Sequence, residues 1–402
     1  MKILTRYSLS QIIEPFFLAL VAFTSVLIVD KVFLLTKYFV EKGINPWYMV
    51  EMLFYYSPAA LVLTIPMAVL VGIVTAFGRL SADNEIIAMK TSGVGMHKLI
   101  LPVVISTFIL SIFMIFFMDF SIPKGNQAYT ALYADIRRQH PALVLEPDTI
   151  MEEMSTEGRK WYFKSMDEKT GELESIMIWE RSGDSPKLIT AKEGSLQFYD
   201  RWTALNLYNG NIYQADPKNP LQGYSTGSFT KDQIILDIAK SLTKEEVNAG
   251  PRNMSMKEVR NELKNLYEQL QSPVTKDYVK EYIQDYQINE YSVELYKKIS
   301  IPFASLAFGL IGVPLGLIVR RGGRMVGLGV GVGLIIVYYV LLTIGEKLAR
   351  TGAYPPFLGA WTPNIIIGVA GIIFIIKTVR ESPLHTLKII NKLFPREPTE
   401  QG

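Results

Sequence analysis

Apolar residues in this chain gather into long blocks rather than alternating with polar ones. Six stretches, at roughly 12–34, 54–78, 99–120, 299–319, 325–345 and 360–377, reach the ~20 mostly apolar residues that a helix needs to cross a bilayer. Three precede a long polar middle and three follow it. Inside that middle the pattern changes twice. From about Ala142 to Asp237, short runs such as Trp161-Tyr162-Phe163, Ile176-Met177-Ile178-Trp179 and Thr203-Ala204-Leu205-Asn206-Leu207 are broken by turn signals. The signals are Thr170-Gly171, Ser182-Gly183-Asp184, Tyr199-Asp200 and Asn209-Gly210-Asn211. Many short strands at that spacing predict a sandwich or jelly roll. From Ser255 the pattern turns helical, and Ser255 with Glu258 three residues on is a capping-box signature. A second helical stretch, from about Val274, runs toward the fourth apolar block.

The predicted architecture is an α-helical membrane protein. Six transmembrane helices carry a β-jelly-roll-like domain inserted between helices three and four. In residue terms this gives a first transmembrane half over about 1–120 and an outer domain over about 121–298. The outer domain is β-rich at about 142–237, with a helical connector at about 255–298. A second transmembrane half spans about 299–380, followed by a tail over 381–402. Lys2 and Arg6 before an apolar run could introduce a signal peptide, but the run is too long and ends in Val29-Asp30-Lys31 instead of small residues. It reads as a retained helix.

Charge sets the orientation. Lys2 and Arg6, then Arg79, Lys90 and Lys98, then Arg320, Arg321 and Arg324, then Lys377, Arg380, Lys388, Lys392 and Arg396 fall on one side when six helices are threaded. The opposite short loops hold Lys37 and Lys42, then Lys347 and Arg350, offset by Glu41 and Glu346. By the positive-inside rule both termini are cytoplasmic and the middle segment is outside. Composition fits this division, with a mean hydropathy of +0.20 beside 20% charged residues, as separate apolar and polar blocks require. The net charge is only +3 and the basic residues flank apolar blocks, so no nucleic-acid footprint is formed. With no cysteine, the chain has neither a disulfide framework nor a thiolate metal site.

The segment Gly78-Arg79-Leu80-Ser81-Ala82-Asp83-Asn84-Glu85-Ile86-Ile87-Ala88-Met89-Lys90-Thr91-Ser92-Gly93-Val94 stands out between the second and third blocks. It predicts a short amphipathic helix over about 81–92, capped by Ser81, with Asp83 and Glu85 at its positive end and Gly93 ending it left-handed. It can be an ordinary solvated loop helix, or a helix that engages a separate ATPase. Four glycines recur in the fifth block, Gly327, Gly329, Gly331 and Gly333. No strand precedes them and no Gly-Lys-Ser/Thr follows, so they are not a phosphate loop. They allow close helix approach, either within the chain or at a partner or lipid gate. Pro58, Pro66, Pro302 and Pro314 are candidate kinks. Lys31 and Lys37, with Asp30, sit near the outer end of the first helix, and long basic chains there either snorkel or serve a site. Phe16, Phe17, Phe23 and Phe33 add an aromatic series along that helix. Catalytic constellations are missing from the sequence, which has no HExxH and only the scattered His97, His140 and His385.

The run from Arg79 to Gly95 resembles the signature of the LptF/LptG (YjgP/YjgQ-type) lipopolysaccharide export permeases. So do Ile301-Pro302-Phe303-Ala304, Leu310-Ile311-Gly312-Val313-Pro314-Leu315-Gly316 and Arg320-Arg321-Gly322-Gly323-Arg324. The layout of helix one and the Arg-Arg-Gly-Gly-Arg turn resembles LptF more than LptG. The resemblance implies a bacterial inner-membrane subunit paired with a paralogous permease and driven by a cytoplasmic LptB-like ATPase dimer. That pair hands lipopolysaccharide to a periplasmic LptC/LptA-like jelly-roll protein. On this reading the chain binds no cofactor itself, and ATP is used by the partner. Glu85, Asp83, Arg79 and Ile86 become ATPase-coupling candidates, Lys31, Lys37 and Phe33 lipid-contact candidates, and Gly327, Gly329, Gly331 and Gly333 gate or packing candidates. The competing class is a membrane-anchored lipid-modifying enzyme or a secondary transporter with an outer-face site.

Overall fold

The computed structural model describes residues 2–41, 45–139, 148–150, 160–166, 172–182, 185–198, 203–215, 224–236, 250–271, 283–318 and 323–379. In chain order these form α1 (Lys2–Glu41), α2 (Pro46–Ala82), α3 (Glu85–Thr91) and α4 (His97–Gln139). Five strands follow, β1 (Lys160–Met166), β2 (Glu172–Ser182), β3 (Ser185–Phe198), β4 (Thr203–Ala215) and β5 (Tyr224–Leu236). The chain then returns to helices α5 (Met256–Gln271), α6 (Asn289–Ile318), α7 (Gly323–Arg350) and α8 (Pro356–Val379). Among the described residues six helices are long and apolar enough to cross a membrane, namely α1, α2, α4, α6, α7 and α8. All six are the predicted apolar blocks. Three are much longer than those blocks, α1 reaching 40 residues, α2 37 and α4 43. Hydropathy marks where a helix is apolar, while backbone hydrogen bonding carries it on through polar sequence.

The chain divides into two compact units. The first comprises Met1–Ile28, Ser57–Pro123 and Met254–Gly402. Its core joins Val62, Leu70, Val71 and Val74 of α2 to Met114 of α4, Ile301, Phe308 and Ile311 of α6, Tyr338 and Leu342 of α7, and Ile367 of α8. Close backbone approach at glycine holds several of these helices. A Cβ on Gly316 of α6 would lie 2.8 Å from Phe77 Cβ and 3.0 Å from Val74 O, and one on Gly371 of α8 would lie 2.9 Å from Ile311 N. Buried polar bonds add to the packing, as interhelical hydrogen bonds do in membranes. Asn364 Nδ2 donates to Ser300 O at 2.6 Å, Tyr338 Oη donates to Asn364 Oδ1 at 3.1 Å, and Tyr339 Oη donates to Leu63 O at 2.9 Å. Helices α2 and α6 each continue through their two prolines.

α5 belongs to the same unit and carries the predicted capping box. Ser255 N–H donates to Glu258 Oε2 at 2.6 Å, and Glu258 N–H donates to Ser255 Oγ at 3.3 Å. The Ser255 N–H bond to the carboxylate holds Glu258 below its ordinary value, and the Ser255 hydroxyl adds to the shift. Asp119 of α4 accepts a further bond from Met256 N–H.

The second unit comprises Val29–Tyr56 and Lys124–Asn253. Its strands form one antiparallel sheet in the order β1-β2-β3-β4-β5. The expected non-sequential strand neighbours of a jelly roll do not occur among the described strands, and much of 142–159 lies outside the described residues. One face is apolar, with Trp161, Phe163, Ile176, Ile178, Ile189, Ala191, Leu205 and Leu207 buried together. Trp161 opposes Ile178, Ile178 opposes Ile189, and Phe163 opposes Ile176, so the buried residues line up across strands. Strict alternation breaks at Ser175 (φ 52°) and Asn209 (φ 52°). Leu173 and Ile176 are both buried although three residues apart, a spacing the left-handed Ser175 permits. Just past Asn209, Gly210 has no room for a side chain, since a Cβ would lie 2.3 Å from Thr190 O.

Candidate functional site

The loop between α2 and α4 holds one short helix between two left-handed residues, Asn84 and Gly93. α2 runs on to Ala82 because Phe77 and Leu80 are packed in the core. Ser81 is therefore buried in the last turn of α2 and does not cap the next helix, contrary to the sequence expectation. The capping place falls to Asn84, which takes the left-handed conformation (φ 61°, ψ 10°) and accepts from Ala88 N–H at 3.0 Å. Its side chain makes no capping bond. α3 then runs only from Glu85 to Thr91. It ends as predicted at Gly93 (φ 81°), where Gly93 N–H donates to Lys90 O and Val94 N–H donates to Met89 O, both at 2.9 Å. That pair of bonds is the Schellman arrangement.

The faces of α3 differ. Ile86 is buried and Met89 packs beside it, against a cluster that includes Phe77, Leu80, Met96 and Leu99. Asp83, Ile87, Ala88, Thr91 and Ser92 are exposed. Of the coupling candidates, Ile86 thus turns inward as an anchor, and the apolar group facing outward is its neighbour Ile87. Arg79 is half-buried in the last turn of α2. Glu85 lies between the two faces and is already engaged, since Tyr7 Oη of α1 donates to its Oε2 at 2.6 Å.

Helix α1 holds the lipid-contact candidates. Lys31 Nζ sits over the ring of Tyr56, 5.4 Å from its centroid, within cation–π range. Phe33 is 74% exposed. The side chain of Lys37 lies outside the described residues. Phe16 packs inward, where a Cβ on Gly72 would lie 3.0 Å from the Phe16 Cβ, and Phe23 packs on the main core, while Phe17 faces out. Leu18, Val21 and Val26 leave a bare apolar flank along α1.

The glycine run of α7 splits by face. Gly327 and Gly331 are buried, and a Cβ on Gly331 would make ordinary contact with Val71 of α2 at 3.8 Å. Gly329 and Gly333 are exposed and meet nothing within 4 Å. The tight glycine contacts occur elsewhere. Gly345 of α7 meets Gly359 of α8, where an added Cβ would lie 2.5 Å from the Gly359 carbonyl oxygen.

Sequence reasoning passed over a charged cluster joining α6 and α7. Lys297 Nζ lies 3.1 Å from Glu294 Oε1 and 2.9 Å from Glu346 Oε1. Arg350 reaches Glu290 at 2.7 Å, Glu294 at 2.6 Å and Glu346 at 2.8 Å. Its signal was the spacing of Glu294 with Lys297 and of Glu346 with Arg350, each within one helical turn. Both pairs fall just beyond the apolar blocks, where they read as ordinary loop charges. Lys298 beside them is buried. Among the described residues no group of three His, Cys, Asp or Glu is placed to hold a metal ion.

Six apolar helices, a strand-rich segment between the third and fourth of them, and a short helix anchored in one loop define a multi-pass membrane protein. The family described as lipopolysaccharide export system permease LptF/LptG matches residues 6–377. The chain belongs to this family of inner-membrane transport permeases, and the match embraces both halves of the pair. No curated protein matches the chain.

Proposed function

We propose that the chain is the permease subunit of an ATP-driven, ABC-type exporter that extracts lipopolysaccharide from the inner membrane and passes it to a periplasmic bridge. The observation that carries this reading is α3. It is a short loop helix fixed on one face to the helical unit by Ile86 and Met89 and presenting Asp83, Ile87, Thr91 and Ser92 on the other. A rigidly seated helix with a free outer face is what a motor subunit needs to push against. Glu85 contributes a carboxylate that can accept from a basic or amide group of that subunit while keeping Tyr7. The ATPase would be an LptB-like dimer and the second permease a paralogue of this chain. The sheet, with its apolar face, would serve the lipid's acyl chains as part of a jelly-roll-like conduit toward an LptC/LptA-like protein. Lys31 would meet a lipid phosphate through a charge-assisted hydrogen bond. Both termini would be cytoplasmic and the sheet periplasmic.

The test is purification of the assembled complex with Glu85→Ala. The variant should insert and fold normally but bring down less ATPase, with lipid-stimulated ATP hydrolysis reduced about tenfold, the effect of one buried charge-assisted bond. Wild-type association and turnover would reject the coupling role of α3.

A further inference from the structure

We propose that Tyr7 is a positioning residue that ties α1 to α3, so that a displacement of α3 is delivered to the first membrane helix through the Tyr7–Glu85 hydrogen bond. The inference rests on the reading of α3 as the ATPase contact and deepens it. Tyr7 and Glu85 are 78 positions apart in sequence, yet their oxygens stand 2.6 Å apart. That separation is the usual one for a hydroxyl–carboxylate bond, a class stronger than bonds between neutral groups. The surrounding packing supports the same link. Leu4, Tyr7, Ile12 and Phe16 of α1 pack on the cluster that contains Ile86 and Met96, so the foot of α1 and the anchored face of α3 share one core. Ser8 and Ser10 spend their hydroxyls on carbonyls of α1 itself, Ser8 on Leu4 O and Ser10 on Tyr7 O. Tyr7 instead reaches across.

Farther along, α1 keeps one face on the core through Ala19 and Phe23, with Thr24 Oγ1 3.0 Å from Thr64 Oγ1, and leaves its other flank bare. Leu18, Val21 and Val26 are 65–70% exposed. A helix with a bare flank and a tethered foot moves as its foot moves. The carboxylate of Glu85 has room for the link and the motor at once. It offers about four acceptor positions, so Tyr7 can hold Oε2 while a donor of the ATPase takes Oε1.

The experiment uses the complete complex in proteoliposomes containing lipopolysaccharide. Tyr7→Phe removes the hydroxyl and keeps the ring's packing. It should bind the ATPase and hydrolyse ATP as wild type does, while lipopolysaccharide released per ATP falls about tenfold, the factor for one charge-assisted hydrogen bond. Because the chain has no cysteine, single reporters can be placed at Ser92→Cys and, on α1, at Ser25→Cys. A trapped nucleotide state should shift both reporters in the Tyr7 background and only the Ser92 reporter in the Tyr7→Phe background. Wild-type release per ATP in Tyr7→Phe, while Glu85→Ala still loses the ATPase, would overturn the tether and leave the coupling role of α3 standing. Wild-type behaviour in both variants would overturn the two together. Loss of ATPase binding in Tyr7→Phe would also overturn the tether, because the hydroxyl would then serve only to shape the docking face.

Discussion

Lys297→Met isolates the charged cluster between α6 and α7. The ammonium of Lys297 serves two carboxylates, Glu294 at 3.1 Å and Glu346 at 2.9 Å. Its side chain is 5% exposed and that of Glu294 4%, so neither gains much from solvent. The methionine keeps the apolar stem and removes only the charge. Glu294 is then left buried with Arg350 alone, at 2.6 Å. Breaking a buried pair by removing one partner costs about 3–5 kcal/mol. The remaining Arg350 contact puts Lys297→Met at the lower end, about 3 kcal/mol. The double variant Lys297→Met with Glu294→Gln removes the stranded charge as well and should recover more than half of that loss, since replacing both members of a buried pair is often close to neutral. The assay is unfolding in mixed micelles, read by tryptophan fluorescence, with the two single variants and the double variant compared as a cycle. A loss below about 1 kcal/mol in Lys297→Met, or a double variant no more stable than the single, would refute the claim that the cluster fixes α6 to α7.

Three further outcomes are expected. Cysteines introduced at the exposed Ser92 and Ser228 should divide by side, with only Ser228→Cys labelled in intact cells by an impermeant thiol reagent; labelling of Ser92→Cys would invert the topology. Ser255→Ala should destabilise α5 by about 1 kcal/mol. Because Glu258 is held below its ordinary value, its share of that stability is fully present above the unfolded carboxylate value near ~4.3 and is lost as pH falls through the lowered folded value. Unfolding of Glu258→Gln should therefore vary less with pH than wild type between about pH 5 and pH 2, and an unchanged profile would discount the box. Lys31→Ala should weaken lipopolysaccharide binding about tenfold and Lys31→Glu more, since repulsion replaces a missing contact; normal export by Lys31→Glu would leave the lysine as an anchor packed on Tyr56.

The features that local chemistry dictates could be read from the sequence. Long apolar runs can satisfy their backbone in a bilayer only as helices, so all six spans were evident. Ser255 with Glu258, and Gly93 after a helical run, act through neighbours a few residues away, and both formed as read. Ser81 misled because its hydroxyl suits a cap, whereas burial of Phe77 and Leu80 carries α2 one turn further. The inward turn of Ile86 and the outward turn of Ile87 depend on where α3 docks, which no local pattern states. The glycines at 327–333 of α7 left a packing seam and a gate face equally open, because a run of glycines shows only that close approach is allowed. Gly316, Gly345 and Gly371 are where backbones meet. Tyr7 with Glu85, and Lys297 with Glu346, join residues distant in sequence, and nothing in either local stretch names its partner.

The central claim is that ATP hydrolysis by a partner drives lipopolysaccharide through this permease, and vesicle-to-acceptor transfer measures it directly. The complete complex is reconstituted into proteoliposomes with lipopolysaccharide, and a soluble periplasmic jelly-roll acceptor carrying a photo-crosslinker is added. ATP should produce a time-dependent lipopolysaccharide adduct on the acceptor, a nonhydrolysable analogue should not, and Glu85→Ala should cut the ATP-dependent rate about tenfold. Equal adduct formation with and without ATP, or an unaltered rate in Glu85→Ala, would contradict the account.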